Sequence, residues 1–160
     1  MGKKKYYIGK TLTKGKGLFA NKKIAKEERI FVARGKIISS FYGEEYHIGH
    51  RWIGIGPSKW LSPDRDNALW FLNHSCAPNA GRKGLRTIVA MKTIQKDEEI
   101  TLDYSTTEED PHWRMRCYCA HHHCRETIRA VQYLSPKLFK KYQKYLPDFL
   151  QRAYSKKKQA

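Results

Sequence analysis

Four chemically different polar side chains follow one another within "FLNHSCAPNA" at residues 71–80. Asn73 and His74 carry an amide and an imidazole, either of which can hydrogen-bond a ligand or cap a turn. Ser75 adds a hydroxyl, and Cys76 adds a thiol that can serve as a metal ligand when it is ionised. Because an apolar run precedes these residues and Pro78 follows, we predict a turn. Its side chains could bind a ligand and connect this turn to a distant segment of the chain.

The chain contains four cysteines, and three of them form the pattern CxCxxxxC in "CYCAHHHC" at residues 117–124. Cys117, Cys119 and Cys124 leave a tetrahedral zinc ion one ligand short, and Cys76 is the only other thiol. Cys117 and Cys119 are also too close in sequence to bridge each other easily. We therefore predict a four-thiolate zinc site that ties residues 117–124 to the turn at residues 73–76.

Three consecutive histidines offer an alternative fourth zinc ligand, since imidazole also binds zinc. His121, His122 and His123 lie between the last two cysteines of the pattern. Adjacent residues cannot all point at one metal ion. A histidine-containing site and a site without metal thus stay open beside the favoured four-cysteine site.

The composition is that of one folded domain with basic ends. Of 160 residues, 40% are apolar and 12% aromatic, which is too rich for a disordered chain. No apolar run reaches the roughly 18–20 residues that a membrane span needs, and no apolar stretch follows the basic start as it would in a secretory signal. We expect an intracellular protein without a membrane partner, in the cytoplasm or nucleoid, or in a nucleus.

The net charge is strongly positive, with 32 Lys and Arg against 15 Asp and Glu and a formal charge of +17. Such a surface suits polyanionic partners, either nucleic acid or an acidic protein face. A basic surface that is merely solvated explains the composition equally well. Charge alone therefore assigns no function.

Short apolar stretches separated by turn signals predict a mostly β fold with several short strands. These stretches are "YYIGK", "GLFA", "RIFVA", "KIISS", "RWIGIG", "TIVAM" and "EEITLDY". Between them, Asp66 could cap a short helix at "NALWFL".

The last 30 residues predict helices instead. Ser135 and Pro136 are typical of a helix start, and Pro147 should break or kink the helix. An apolar face follows at helical spacing, formed by Leu138, Phe139, Tyr142, Tyr145 and Leu146, with Phe149, Leu150 and Tyr154 beyond the proline. We expect "SKKKQA" to be a frayed tail. The apolar face favours packing on the domain, and dimerisation or partner binding stays open.

Taken together, these motifs resemble SET-domain protein lysine methyltransferases. The resemblance rests on "GKGLFA" at residues 15–20, "FLNHSCAPN" at 71–79, "EEITLDY" at 98–104 and the post-SET pattern at 117–124. It implies a mostly β fold of small sheets with short helices, in which the C-terminal segment makes a knot-like crossing under a preceding loop. It also implies a SET domain at residues 6–109, a post-SET zinc segment at 110–128 and a basic helical extension at 129–160.

The resemblance further implies a reaction and a site. The chain would transfer a methyl group from S-adenosylmethionine to a lysine amine of a protein such as a histone or another basic protein. The implied cofactor contacts are Lys16, Gly17, Leu18, Phe19, Asn73, His74, Tyr104 and Ile128, and the implied zinc ligands are the four cysteines.

Tyr104 is the catalytic residue that the resemblance implies. Methyl transfer to an amine is an in-line displacement, so the protein must align the reactants and present a neutral amine. Deprotonating a lysine at pH 7 costs about 4.6 kcal/mol from its reference pKa, and a dry channel offsets part of this. The Tyr104 hydroxyl would orient the amine and the methyl group, with the proton leaving to water. The alternative for this residue is a core tyrosine that ends a strand.

The chain departs from the family pattern around the lysine channel. Leu102 stands where the family commonly has Phe or Tyr, and without a hydroxyl we expect more than one methylation. Ala33 and Lys36 replace a tyrosine and a glutamate of the family, so Tyr42 or Tyr46 is expected to fill that wall. At residues 125–128, "RETI" replaces the family's Arg-Gly-aromatic-Leu. Ile128 could still pack on the adenine, but no aromatic residue covers it there.

Two further expectations concern partners. Either a locally acidic substrate channel or nucleic acid that bridges enzyme and substrate would reconcile the positive charge with a basic substrate. The channel residues would be Glu44, Glu45, Glu108, Glu109 and Asp110, for which a solvated loop is the alternative. The competing function is a catalytically inactive, zinc-stabilised nucleic-acid-binding or chromatin-binding module. The bases of the bound nucleic acid would stack on Trp52, Trp60, Trp70 and Trp113, although tryptophans more often lie in the core.

Overall fold

The computed structural model describes residues 4–12, 14–39 and 51–157 and has the predicted mostly β architecture with short helices. Twelve strands form in the described part of the chain. They are β1 (Tyr6–Lys10), β2 (Lys16–Ala20), β3 (Arg29–Val32), β4 (Gly35–Ser39), β5 (Ile53–Gly56), β6 (Lys59–Pro63), β7 (Asn73–His74), β8 (Ala80–Lys83), β9 (Thr87–Ala90), β10 (Glu99–Leu102), β11 (Arg114–Arg116) and β12 (Thr127–Arg129). The sequence patterns predicted seven of these strands and missed β6, β7, β8, β11 and β12.

The sheet that positions the polar turn has the strand order β1-β2-β10-β7. β10 pairs antiparallel with β2, where Ile100 lies opposite Leu18, and both side chains are fully buried. On its other side β10 pairs parallel with β7, which sets Leu102 beside His74. Because the chain leaves β10 directly into Tyr104, this pairing brings the turn next to that tyrosine.

Two three-stranded sheets, β3-β9-β8 and β4-β6-β5, surround the main core, and β11 pairs with β12 near the cysteines. Apolar residues of the strands form one buried cluster that includes Leu18, Leu61, Ile88 and Ile100. Gly35 is required where β4 pairs with β6, because an added Cβ would lie 1.9 Å from the Ser62 carbonyl oxygen.

A short helix was predicted correctly in the stretch "NALWFL", but its cap was predicted wrongly. A 3-10 turn spans Ala68–Phe71, and the Asn67 side chain, not that of Asp66, accepts the N–H of Leu69 at 3.0 Å. Asn67 is buried and its amide also donates to the Val32 carbonyl, whereas the Asp66 carboxylate is exposed beside Arg34. The cap is therefore the residue that tertiary structure buries at the turn.

The C-terminal helices begin and break where the sequence predicts. The Ser135 hydroxyl accepts the N–H of Leu138 at the start of α1 (Pro136–Tyr142), and a 3-10 turn over Gln143–Tyr145 precedes Pro147. α2 (Asp148–Lys157) follows. The expectation of a frayed tail from residue 155 was wrong up to residue 157, because α2 continues that far. Among the described residues, no helix is long and apolar enough to cross a membrane.

The helical extension packs on the rest of the domain through a second buried cluster. Leu150 is fully buried and Tyr142 is 1% exposed, with Met91 of the sheet region packed against the same cluster. At the edge, the Glu27 carboxylate accepts hydrogen bonds from the Lys144 amine and the Tyr145 hydroxyl. Lys144, Lys83 and Tyr145 together lower the pKa of Glu27 to about 2. The proposed boundaries at residues 109 and 128 stay predictions.

The acidic run before the cysteine pattern is not a solvated loop, as one sequence alternative held. Glu108, Glu109 and Asp110 are buried. The Glu108 carboxylate accepts the backbone N–H groups of Glu109 and Asp110 and the Trp60 indole N–H at 2.8 Å. Burial raises the pKa of Glu108 to about 7. These bonds explain how carboxylates are retained in the interior; Glu44 and Glu45 lie outside the described residues.

Of the four tryptophans proposed to stack nucleic acid bases, two lie in the core. Trp60 is fully buried and Trp113 is 8% exposed. Trp70 lies beneath the Arg51 guanidinium, 4.7 Å from its ring centroid. A face of tryptophans for base stacking therefore does not form from Trp60 and Trp113.

Shortening a buried side chain of the extension should destabilise the whole domain. We predict that Leu150→Ala lowers the free energy of unfolding by about 2–5 kcal/mol, since the residue is fully buried. Leu85→Ala is the matched control, because Leu85 is 45% exposed, and it should change stability by less than about 0.5 kcal/mol. Urea unfolding followed by tryptophan fluorescence measures both. An unchanged main transition in Leu150→Ala would mean that the extension folds separately.

Candidate active site

The Asn73 amide joins the glycine-containing strand to the central strand of the sheet. Its Nδ2 donates to the Lys16 carbonyl oxygen at 3.1 Å and to Glu99 Oε1 at 2.9 Å. Gly17 lies directly against these groups, and an added Cβ would be 2.8 Å from Glu99 Oε1 and 3.0 Å from Asn73 Nδ2. Glycine is needed here for close packing, a role that the sequence pattern alone did not distinguish from ligand approach.

The stretch at residues 16–19, which is predicted to contact the cofactor, thus meets the turn through its backbone. Lys16 is exposed, and Leu18 is fully buried in the main core. The Phe19 ring stacks on Tyr7, with 5.6 Å between centroids. The side chains of Leu18 and Phe19 are therefore occupied by packing within the protein.

The His74 ring is within hydrogen-bond distance of both Tyr104 and Cys76. The backbone N–H of Tyr104 donates to His74 Nδ1 at 3.1 Å, so the neutral ring carries its proton on Nε2. Nε2 lies 3.4 Å from Cys76 Sγ, where an N–H can donate to the sulfur. Burial lowers the pKa of His74 to about 4, against the opposing effect of Asp103. The ring is neutral at physiological pH, and both of its nitrogens have protein partners.

The Tyr104 side chain is held at the end of β10 by its hydroxyl and its ring. The hydroxyl donates to the Leu72 carbonyl oxygen at 2.7 Å, and the ring meets the His74 ring edge-on at 5.4 Å. Burial raises the pKa of Tyr104 to about 12. The hydroxyl therefore stays protonated near neutral pH and can orient a reactant through its oxygen lone pairs, but it is not set up to act as a base.

The four cysteines lie in one cluster, and the sulfurs of Cys76, Cys117 and Cys119 lie within 4.8 Å of one another. Cys76 Sγ and Cys117 Sγ lie 3.7 Å apart, close to the edge of about 3.8 Å expected for a tetrahedron with Zn–S bonds of about 2.3 Å. Cys119 and Cys124 pack in the same cluster. The sulfurs also accept N–H groups: Arg125 N–H reaches Cys76 at 3.3 Å and Glu126 N–H reaches Cys124 at 3.4 Å. Such a set of thiols fits a zinc ion.

His74 is a geometric rival of Cys124 as the fourth ligand. The ligand atoms of His74, Cys76, Cys117 and Cys119 lie within 4.8 Å of one another. However, His74 Nδ1 already accepts an N–H, so coordination through Nε2 would require an imidazolate. The tautomer therefore favours Cys124 as the fourth ligand and His74 as a hydrogen-bond donor to the Cys76 sulfur.

The three consecutive histidines lie apart from this convergence. Their rings pack on one another, with centroids 4.0–5.8 Å apart, and His122 and His123 are exposed. Within the described residues, none of the three joins the group of converging ligand atoms. Cys124 is not in that group either, so the four-cysteine site stays a prediction.

A buried ion pair connects the cysteine loop to the residue before Tyr104. Arg125 donates through Nη2 to Asp103 Oδ1 at 2.6 Å and through Nε to Cys76 Sγ at 3.5 Å. Asp103 is fully buried, and the N–H of Ser105 also donates to it. From the extension, Tyr142 borders the same small void as Asp103. The cysteine loop, the segment around Tyr104 and the C-terminal extension thus all lie close to the Asp103 carboxylate.

A cavity of about 270 Å³ opens between the turn, Tyr104 and the cysteine loop. It is lined by Lys14, Arg51, Asn73, His74, Tyr104, Met115, Arg116, Cys117, Tyr118 and Cys119. Sequence reasoning identified Asn73, His74 and Tyr104 as binding residues. It missed Lys14, whose amine approaches the His74 carbonyl at 3.3 Å, and it missed Tyr118, an aromatic between two cysteines. The sequence signals that could have identified them were the position of Lys14 directly before the glycines and the position of Tyr118 between two cysteines.

Of the other residues predicted for the site, Ile128 and Leu102 do not line this cavity. Ile128 is 1% exposed and packs in the cluster that contains the cysteines and Tyr104. Leu102 is 1% exposed within the main core. Tyr42 and Tyr46 lie outside the described residues.

Comparison with known protein families identifies the family of this chain. A protein-family model described as the SET domain matches residues 15–105, more than half of the chain. The chain belongs to the SET-domain family. The match begins at Gly15 and ends at Ser105, so it contains the glycine stretch, the Asn-His turn and Tyr104, while the cysteine loop follows it in the SET protein.

Curated relatives of this SET protein include much longer proteins. The histone-lysine N-methyltransferase set-2 of Caenorhabditis elegans is 34% identical over 139 residues, which cover 77% of this chain and 9% of the relative. The human histone-lysine N-methyltransferase 2B is 30% identical over 130 residues, covering 71% of this chain and 5% of the relative. The chain thus spans less than a tenth of the length of either relative.

Solved structures show the same fold. The crystal structure of KRYPTONITE in complex with mCHG DNA and SAH matches 76% of this chain and 28% of that chain, with a TM-score of 0.59 and 19% identity. At this identity the likeness concerns the fold alone. It agrees with the small sheets and short helices of the SET protein.

Breaking the ion pair beneath the cavity should destabilise the SET protein. We predict that Arg125→Ala lowers the free energy of unfolding by about 2–3 kcal/mol, because it leaves the Asp103 carboxylate buried without its cation. The expected loss is at the lower end for a buried pair because the Arg125 side chain is 24% exposed. Urea unfolding at constant zinc concentration measures the loss.

Arg116→Ala provides the control for this substitution. Arg116 is exposed in β11 of the same region, so its removal should change stability by less than about 0.5 kcal/mol. Equal stabilities of the two variants would show that the Asp103 pair contributes nothing beyond a surface charge.

Proposed function

We propose that the chain is an S-adenosylmethionine-dependent protein-lysine N-methyltransferase. The observation that carries the proposal is the meeting of Asn73, His74 and Tyr104 on one cavity that the cysteine loop closes. Family membership and relatives named histone-lysine N-methyltransferases support it. The activity stays a proposal because the chain corresponds to a small part of those relatives.

The residues around the cavity fit the chemical groups of S-adenosylmethionine. Arg51 offers a cation for a carboxylate, as does Lys14, whose amine also lies 3.4 Å from Glu99 Oε2, and Met115 and Tyr118 offer apolar surface for an adenine. Tyr118 is 66% exposed and compensates for the aromatic residue that "RETI" lacks. The bound cofactor would supply an electrophilic methyl group. In this proposal, residues 16–19 contact the cofactor through their backbone. Ile128 supports the cavity from below and does not touch the cofactor.

In this proposal the protein aligns the reactants and does not remove the proton itself. Tyr104 keeps its hydroxyl protonated and orients the lysine amine by accepting a hydrogen bond. His74 is neutral, with its nitrogens engaged by Tyr104 and Cys76, so it is unsuited as a general base. The amine must therefore lose its proton to water before transfer. Leu102 has no hydroxyl and is buried in the main core, and from this residue we expect products with more than one methyl group.

Zinc is the second proposed cofactor, held by the four cysteines. The ion would fix the cysteine loop beside the turn, since Cys117 and Cys119 line the cavity themselves. Burial raises the pKa of the Cys76 thiol, with Arg125 opposing it, so zinc binding should release protons. The proposed role of the metal is structural, because four thiolates leave no open position.

The proposed substrates are histones or other basic proteins, in keeping with the names of the relatives. Such substrates would place the chain with chromatin, in a nucleus or a nucleoid. The positive charge of the chain opposes direct attraction of a basic tail, so a further contact has to bring enzyme and substrate together.

Removing one hydroxyl tests the proposed function directly. We predict that Tyr104→Phe lowers the rate of labelled methyl transfer from S-adenosylmethionine by about 100-fold or more, because the amine loses its orienting group. Histones and a whole-cell protein extract serve as substrates. The affinity for S-adenosylhomocysteine, measured by calorimetry, should change by less than about 3-fold, since the fold and the cavity walls remain.

Tyr133→Phe is the control, because it also removes a tyrosine hydroxyl but lies in the extension between Arg129 and Lys157. It should transfer methyl groups at the wild-type rate. Wild-type rates from Tyr104→Phe would contradict the role of Tyr104. A wild-type protein that binds the cofactor but labels no protein would contradict the proposed activity.

Metal analysis tests the zinc site separately. We predict one zinc ion per wild-type chain by plasma mass spectrometry and a substoichiometric content in Cys124→Ser, because a hydroxyl replaces a required thiolate. His122→Ala should keep its zinc, since this exposed ring lies apart from the sulfurs. Full zinc in Cys124→Ser together with loss in His122→Ala would support the histidine-containing alternative.

A further inference from the structure

The two C-terminal helices carry a concentration of positive charge that the proposed active site does not use. Residues 129–157 contain eight Lys and Arg and only one acidic residue, which gives this segment a formal charge of +7. Its apolar residues face inward, where Tyr142, Leu150 and Tyr154 are buried. The cations are consequently left on the solvent side.

Five of these cations form what we call the basic face: Lys137, Lys140, Lys141, Arg152 and Lys156. All five are exposed, and none lies within ion-pair distance of a carboxylate among residues 4–12, 14–39 and 51–157. The other cations of the segment are engaged. Lys144 pairs with Glu27, and Arg129 and Lys157 each lie 3.3 Å from the Tyr133 ring centroid.

The basic face extends over both helices. Residues 137, 140 and 141 lie on one side of α1 at spacings of three and four residues. Arg152 and Lys156 lie one turn apart on α2 and border a depression of about 290 Å³, which Phe139 of α1 and Gln143 of the following 3-10 turn also line. The Phe139 ring stacks on Tyr154 at 3.6 Å, which fixes the two helices against each other. The cations of α1 and α2 therefore keep fixed positions relative to each other.

The surface has charge but no apolar centre. The exposed large hydrophobic residues of the described chain are Tyr7, Ile8, Leu12, Val32, Ile37, Leu85 and Tyr118, and none of them belongs to the extension. Protein interfaces require an apolar or aromatic core and are depleted in lysine, and membrane-surface helices require an apolar face that is free to insert. A phosphate backbone requires only exposed Lys and Arg with space to reach its oxygens.

We propose that the basic face binds the phosphate backbone of double-stranded DNA. The binding would be independent of sequence, because contacts of Lys and Arg to phosphate oxygens carry no sequence information. It would also place the cavity near proteins that are themselves bound to DNA, without attraction between two positively charged proteins. The proposal does not rest on the methyltransferase activity.

The test is the salt dependence of binding to a fluorescent 25-base-pair duplex, measured by anisotropy from 50 to 200 mM NaCl. The triple variant Lys140→Gln, Arg152→Gln, Lys156→Gln removes three charges from the basic face. Each phosphate contact contributes about 0.9 to the slope of log K against log salt concentration, so the slope should shrink by about 2.7. The affinity at 100 mM salt should fall by at least about 10-fold.

The matched control is Lys22→Gln, Lys23→Gln, Lys96→Gln. It removes three exposed cations from turns of the SET portion, so both variants have the same net charge. Its slope should change by less than about 1. Circular dichroism and urea unfolding of both variants verify the fold, because all six side chains are exposed.

Three results would overturn the proposal. Equal losses in the two triple variants would show a diffuse basic surface instead of a binding face. Absence of binding by the wild type at 50 mM salt would show a solvated surface. If polyglutamate of the same total charge binds as tightly as the duplex, the face would be assigned to acidic proteins. None of these results depends on whether the chain transfers methyl groups.

Discussion

The parallel pairing of β7 with β10 is the contact on which the site depends. It is only two residues long, with Asn73 beside Thr101 and Leu102 beside His74. Nevertheless it brings together a turn and a strand end that are about 30 residues apart in sequence. The Tyr104 N–H then closes onto His74 Nδ1, and the Asn73 amide closes onto the glycine strand. A shift of one residue would exchange inward and outward side chains and dissolve this arrangement.

A second set of contacts couples the cysteine loop to the same point. Asp103 is buried directly before Tyr104, and Arg125 pairs with it while also reaching Cys76. His74 lies against Cys76 from the other side. The proposed zinc site and the proposed catalytic tyrosine therefore share a hydrogen-bonded framework. The metal, if removed, would be expected to disturb the shape of the cavity, because Cys117 and Cys119 form part of its wall.

The C-terminal extension combines two roles on opposite sides. Its inner face completes the domain, with Leu150 fully buried and Tyr142 reaching the void beside Asp103. Its outer face carries the cations for which we propose a DNA backbone as partner. This division is the usual consequence of an amphipathic helix, but here the polar side is almost entirely of one sign.

The sequence by itself determined the family, the mostly β class, the start and the break of the C-terminal helices and the set of candidate ligands. Local rules suffice for these, because the thiol spacing, the Ser135–Pro136 start and the order of the motifs are properties of short segments. Short strands such as β7, β11 and β12 could not be predicted, since a two-residue or three-residue strand forms only when its partner is already in place.

Tertiary structure decided which candidates meet and in what state. It assigned the His74 tautomer through the backbone N–H of Tyr104, about 30 residues away in the chain, and it added Lys14 and Tyr118 to the cavity. It also buried Glu108, which the sequence had left as either a channel or a solvated loop residue. The physical reason is the same in each case. Burial and the choice of hydrogen-bond partner depend on segments that are distant in the chain, and no local pattern encodes which of them will be close in space.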